Sequence, residues 1–517
     1  MELSQETLNM TSMVDSPSTT TGTVVVGQNL TYYVIIAATL LLVWLLRPSH
    51  QSAVSAPFYK ASRMKWMFSA DTLVRDSYNK FKDQVYQIRS TEGVRTLIPA
   101  KLIPELRGLP EDVLSGSQAI NEAMLVEYTK FTFGNHADTM HLLLKSKLTQ
   151  HLGRFVPRLK SELEFIERTE FKDCKDWTAV TVQPFILRAV ARLSGRIFVG
   201  TELGRTEEWM ELSINFAVRA FIAVIKLQFF PTWMRPIAKY MVSELRQIDR
   251  DVARAQELLK PIIDERLQDE ELDPCGERPD DFVQWLLDAL PQDQKRDYYM
   301  QAKLHLILCA AAIHTTSNLA TDCIYDLATH PEHQDILRDE AQEVLVEGDG
   351  WDKKESMAKL KKTDSFIKES QRLAGNVTSF IRKVVKPIEL SDGTQLPPGT
   401  NLLAPQIGFS HDERYFPDPE TFDGLRFWKM RNQSEEAANR WQFSSIGDYN
   451  INFGLGKHAC PGRFFAGNEI KVILAHLVMN YEIKLKDGEG RPEPVMFMMS
   501  KTANSKAEIM FKRRAET

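Results

Sequence analysis

The sequence predicts one large, mainly α-helical domain with small β-sheets, preceded by a single transmembrane helix. Three observations lead there. Stretches with helical spacing of apolar residues run over 138–168, 241–268, 297–329 and 331–347. Two short segments read instead as hairpins turning at glycine. Near the N-terminus, an uncharged apolar run stands apart from all that follows.

Taken in chain order, residues 1–29 form an N-terminal tail of which 1–23 are polar, with Ser16, Pro17 and Ser18 leading into a run of threonines. They carry too few large apolar groups to fold alone. "LTYYVIIAATLLLVWLL", 30–46, lies near the short end of the about 20 residues that a membrane span needs. Arg47, Lys60, Arg63 and Lys65 follow this run, whereas Glu2, Glu6 and Asp15 precede it. By the positive-inside rule the tail is lumenal and the body cytosolic. A cleaved signal peptide is disfavoured: no basic segment precedes the run, and Trp44-Leu45-Leu46 is no small-residue cleavage site. Asn9-Met10-Thr11 is then a lumenal glycosylation triplet, and Asn29-Leu30-Thr31, abutting the span, a poorer one. A linker over 47–59 leads to a single domain over 60–517, within which there is no composition break or internal repeat. "VYQIRSTEGVRTLIP" (85–99) reads as a hairpin turning at Glu92-Gly93, and "IELSDGTQLPPGT" (388–400) as another turning at Asp392-Gly393.

Composition narrows the function classes. An apolar fraction of 43% and a charged fraction of 26% are those of a folded globular protein. A net charge of −5 argues against nucleic acid as a partner. The cysteines, Cys174, Cys275, Cys309, Cys323 and Cys460, are odd in number and unpaired in spacing. They form no disulfide framework, which suits a body facing the reducing cytosol.

The stretch "FGLGKHACPG", 453–462, crowds glycine and proline around one of those cysteines. It is too glycine-rich for a helix or strand interior. Cys460 could be a buried structural thiol, or a nucleophile with His458 two residues away. No second cysteine stands at zinc spacing, and the C-x-x-C-H of a c-type haem is absent. A glycine-lined loop suits a flat cofactor better. The stretch resembles the haem-binding loop of the cytochrome P-450 family, F-x-x-G-x-x-x-C-x-G, with Phe453, Gly456, Cys460 and Gly462 at its fixed positions. That resemblance implies that Cys460 is the axial thiolate of a haem iron, a ligation that favours O–O cleavage. It also implies that Phe453 packs beside Cys460 and that His458 contacts a haem propionate.

Other motifs follow in the family's order. "ESQR" sets Glu369 and Arg372 one helical turn apart, and "FDGLRF" offers Arg426. The resemblance implies that the three form a buried triad supporting fold and haem loop. Arg382, in "FIRKVV", matches a position that binds a propionate. "AAIHTTS", 311–317, is similar to the family's A/G-G-x-D/E-T-T, which makes Thr315 the threonine beside bound dioxygen. Its other reading is back-bonding to helix carbonyls. His314 replaces the usual acid there, so the usual carboxylate route for protons is in question. An imidazole, which titrates near neutrality, could relay protons in its place, or could hydrogen-bond a neighbouring helix. The A-A-I-H-T-T variant resembles enzymes of fungal secondary metabolism, including those acting on isoprenoid scaffolds.

By resemblance, then, the chain is a monooxygenase of the endoplasmic reticulum membrane that hydroxylates a small apolar substrate. No flavin or nicotinamide domain is recognisable, so electrons from NADPH must arrive through a separate cytochrome reductase. Two other readings stay open: a haem-thiolate isomerase or dehydratase, and a haem-binding sensor without oxygenase activity.

Overall fold

The computed structural model describes residues 54–351 and 353–515. The expected lumenal tail with Asn9 and Asn29, the transmembrane run 30–46 and the start of the linker lie outside the described residues. Among the described residues, no single helix is long and apolar enough to cross a membrane.

The domain begins a little earlier than the expected boundary at 60. Phe58–Tyr59 is already a strand, parallel to Tyr86–Ser90. Gln87 Nε2 donates to Val54 O at 2.7 Å, which ties down the chain before it. These strands open a six-stranded sheet in the order Phe58–Tyr59, Tyr86–Ser90, Gly93–Leu97, Asn401–Ala404, Ser379–Val384, Leu114–Ser115. A three-stranded sheet joins Tyr481–Lys484, Glu508–Arg513 and Thr178–Thr181.

Both expected hairpins form. In the first, Ser90 pairs with Gly93, so the turn is Thr91-Glu92, one residue earlier than expected. Ser90 closes it early: its Oγ accepts from Glu92 N and donates to Gly93 O. In the second, Leu390 N donates to Thr394 O around a turn containing Asp392 and Gly393, the glycine at φ 83°.

The helices that matter for the site are α1 (Gly116–Ala123), α2 (Leu152–Glu170), α3 (Val182–Phe198), α4 (Glu207–Gln228), α5 (Ser243–Leu272), α6 (Tyr298–Thr329), α7 (Glu332–Leu345), α8 (Lys361–Ala374) and α9 (Arg463–Asn480). The stretch expected to be helical over 138–168 is divided. Ala137–Leu143 and α2 are separated by a wide π-type turn over Leu144–Leu148, and Thr149 Oγ1 donates to Leu144 O there. The three other long helices lie where expected, as α5, α6 and α7.

Helix α6 is the axis of the molecule. The Asp297 carboxylate accepts from Met300 N at 2.9 Å and caps its start. Pro331, just past its end, cannot continue it and opens α7 instead. Between these limits α6 is packed by α3, α4, α5 and α8, and its side chains are buried on almost every side. A helix apolar all round is what such burial requires. Its few exposed positions therefore carry information.

Candidate active site

The loop before α9 turns around Cys460. Cys460 N donates to Phe453 O at 2.7 Å, and Gly454 N to Ile451 O at 2.9 Å. Closing so tight a turn forces Gly454 to φ 72° and Gly456 to φ 64°, left-handed backbone that favours glycine. Space is short as well. A Cβ at Gly456 would stand 2.9 Å from Arg107 O, and one at Gly454 2.8 Å from His458 O. Gly462, by contrast, has ordinary backbone and caps the start of α9. Burial pushes the Cys460 thiol up, while the Gly462 N–H, the Arg463 charge and the Arg463 N–H favour its thiolate. Phe453 meets Phe443 edge-on, with ring centroids 5.1 Å apart.

Gly116, at the start of α1, brings two expected contacts together. A Cβ there would come within 3.0 Å of His458 Cε1 and 3.2 Å of Arg382 Nη1. Arg382 is buried, lies over the Phe380 ring, and its Nη1 donates to Ile381 O at 2.8 Å. Its Nη2 is buried with no hydrogen-bond partner among the described residues. An orphaned guanidinium nitrogen beside an imidazole suits an acidic ligand group, and Cys460 supplies a soft sulfur donor. This donor set fits a thiolate-bound haem with its propionates toward Arg382 and His458.

Glu111 was not singled out from the sequence. It accepts from Ser115 Oγ at 2.7 Å, Gly116 N at 3.1 Å and Ser117 N at 3.2 Å. His458 Nε2 lies 2.7 Å from its Oε1. Burial alone would raise this carboxyl, but those hydrogen bonds hold it at about 2. The cap residue Ser115 was a local signal; the carboxylate preceding it had none.

On α6, Ala311 and Thr315 are exposed although their neighbours Ile313, Thr316 and Ser317 are buried. Residues four apart share one helix face. Thr315 Oγ1 donates to Ala311 O at 2.9 Å, the back-bonding that was its other reading. His314 points elsewhere. Its ring turns to α4, where Nε2 donates to Ile214 O at 3.0 Å, and burial lowers its pKa. Consecutive helix residues point about 100° apart, so His314 does not share the open face of Thr315. Its geometry is that of an α4–α6 cross-link, the other reading of this residue.

Glu369, Arg372 and Arg426 are brought together and buried. Arg372 Nε and Nη2 each donate to Glu369 at 2.8 Å, and Arg426 Nε donates to both oxygens at 3.1 and 3.2 Å. Spare guanidinium donors reach the Ser410 and Pro419 carbonyls, both at 2.7 Å, and the Thr421 carbonyl at 2.8 Å.

A family model described as cytochrome P-450 matches residues 126–511. The chain is 37% identical over 455 residues to the cytochrome P-450 monooxygenase braC of Annulohypoxylon truncatum, covering 87% of this chain and 90% of that one. It is 35% identical to the cytochrome P-450 monooxygenase AN1598 of Emericella nidulans, covering 93% and 92%. It is also 32% identical to an ent-kaurene oxidase of Gibberella intermedia, covering 88% and 85%. Among solved structures, the retinoic-acid-bound cyanobacterial CYP120A1 superposes with a TM-score of 0.68 at 16% identity, over 89% of this chain and 99% of that one. At that identity the likeness is one of fold.

Removing Glu369 leaves two guanidiniums buried without their carboxylate. Glu369→Ala should destabilise the domain by about 3–5 kcal/mol, read as a lowered denaturation midpoint and a lower yield of haem-loaded protein. An unchanged midpoint would show that the triad does not hold the fold.

Proposed function

The chain belongs to the cytochrome P-450 family, and from that premise we propose that it oxidises an apolar, isoprenoid-type natural-product scaffold in fungal secondary metabolism while anchored in the endoplasmic reticulum membrane. Its enzymology is that of a monooxygenase, an oxidoreductase with a haem-thiolate cofactor fed by electrons from a reductase. The observation that carries the reading is the glycine loop that closes on Phe453 and presents the Cys460 sulfur in a fixed direction.

Haem, when bound, supplies the activation of dioxygen. The residues do the rest. Cys460 would hold the iron through its sulfur; burial pushes its thiol up, and the N–H groups of Gly462 and Arg463 oppose that shift. Arg382 and His458, which meet beside Gly116, would hold the propionates. Thr315 donates its own proton to Ala311 O, so its oxygen lone pairs remain free to accept from a water on the open face of α6. That water is thereby held where it can deliver a proton. Glu369, Arg372 and Arg426 act on the fold and not on the chemistry.

Membrane attachment rests on the apolar run 30–46 and its flanking charges. A second feature supports it. Trp233, Ile237, Tyr240 and Met241, just beyond α4, leave 69–76% of their surface in water. Such a cluster suits an interface in which apolar rings meet lipid. A kinship with the ent-kaurene oxidase favours an isoprenoid substrate.

With a reductase, the protein should consume NADPH and dioxygen and return a product that has gained oxygen, which neither an isomerase nor a sensor does. Cys460→Ala should lose this turnover together with the thiolate-type red shift of the reduced carbon monoxide complex. A variant that keeps that spectrum sinks the ligand assignment.

Thr315→Ala should keep its haem while diverting several-fold more of the reducing equivalents into peroxide. Unchanged coupling of NADPH use to product would remove Thr315 from proton delivery.

For topology, protease added to intact microsomes should digest the body of the protein. Protection of the body until detergent is added would place it in the lumen.

A further inference from the structure

The strand Ser379–Val384 pairs irregularly with Asn401–Ala404. Ser379 stands opposite Ala404 and Arg382 opposite Leu402, so the first strand carries one extra residue between these pairs. Such a bulge reverses the alternation of side chains beyond it. Without it Ile381 would face Leu402, and Arg382 would turn to the other side of the sheet. With it, Phe380 and Val384 join the cluster of Leu402 and Ala404, whereas Ile381 packs beside Leu403. Arg382 shares the first of these faces. There its Nη1 would stand 3.2 Å, and His458 Cε1 3.0 Å, from a Cβ on Gly116.

Phe380 makes the bulge. Its φ of 54° is left-handed backbone, an outlier for so bulky a residue, and it persists only where the surroundings enforce it. Its side chain is 2% exposed, and the Arg382 guanidinium carbon lies 4.6 Å from its ring centroid. A desolvated guanidinium over a ring face is held there by the ring's quadrupole. The residue before it reaches the cysteine loop. Ser379 Oγ donates at 2.6 Å to Ile451 O, the same carbonyl that accepts from Gly454 N. Asn376 extends this seam, its Nδ2 donating to Asn452 O at 2.9 Å and its backbone N to Asn452 Oδ1 at 3.1 Å.

We propose that Phe380 is a positioning residue for the cofactor: its left-handed backbone turns Arg382 to the face that meets His458, and its ring fixes the guanidinium there. Ser379 ties the same bulge to the chain entering the Cys460 loop. One irregularity of the sheet thus sets the guanidinium and the thiol relative to each other. The inference rests on the haem-thiolate reading and deepens it, by naming what aims the group assigned to a propionate.

The test measures transfer of haem from the loaded full chain to apomyoglobin. Phe380→Gly leaves the left-handed backbone accessible and removes the ring. It should release haem roughly fivefold faster than the wild type, the value of one desolvated contact between a cation and a ring. Arg382→Met should also speed release, and adding Phe380→Gly to it should change little more, because both act through one contact. The propionate bending band of the resonance Raman spectrum, which responds to hydrogen bonding at the propionates, should shift alike in the two single variants. If Phe380→Gly takes up no haem, Phe380→Leu, which keeps most of the apolar volume without a ring face, carries the same comparison. Release at the wild-type rate in either single variant, or an unmoved band, overturns the inference. So do rates that multiply in the double variant, the result that loss of packing alone would give. Failure of the haem-thiolate reading would show separately, as a native protein without the thiolate-type carbon monoxide band.

Discussion

The site depends on one short backbone hydrogen bond, from Cys460 N to Phe453 O at 2.7 Å. It closes the loop and so decides where the sulfur points. Most of the other constraints follow from it. The turn needs left-handed backbone at Gly454 and Gly456. The same closure brings Phe453 against Phe443 and lets α9 start directly behind the thiol.

A loop this tightly turned is also held from outside. Two clamps act on residues 442–445, next to the Phe443 ring. From α8, Lys368 Nζ donates to Gln442 O at 2.6 Å and Ser445 O at 3.1 Å, while Asp364 Oδ2 accepts from Phe443 N at 2.8 Å. From α9, Arg463 Nε donates to Ser444 O at 3.0 Å. Burial pushes the Lys368 ammonium down to about 7, with the Asp364 charge opposing it. The triad at Glu369 continues the same face-to-face anchoring of α8 against 410–426. Fold support and site geometry are thus one network, in which α8 is the common element.

Much of this was legible in the sequence where the signal was local. The glycine spacing around Cys460, the 3.6-residue periods of α5, α6 and α7, and the Asp-Gly hairpin each follow from backbone preferences of neighbouring residues. What stayed hidden depends on distant pairing. The strand Asn401–Ala404 lies parallel to Gly93–Leu97, and no local pattern announces that partnership. Glu111 gains its role only because α1 lies against the Cys460 loop. The expected continuous helix over 138–168 is interrupted because apolar spacing does not register a π-type turn. His314 shows the limit most clearly. Its place in the motif suggested a proton relay, yet helix geometry points it at the Ile214 carbonyl of α4.

X-ray absorption at the iron edge of the purified protein tests the central claim most directly, because it reads the atoms bound to the metal. The closed loop predicts a sulfur scatterer in the first shell of the wild-type iron that disappears in Cys460→Ser. A first shell of nitrogen and oxygen alone in the wild type, or a sulfur shell that survives the substitution, would contradict the account.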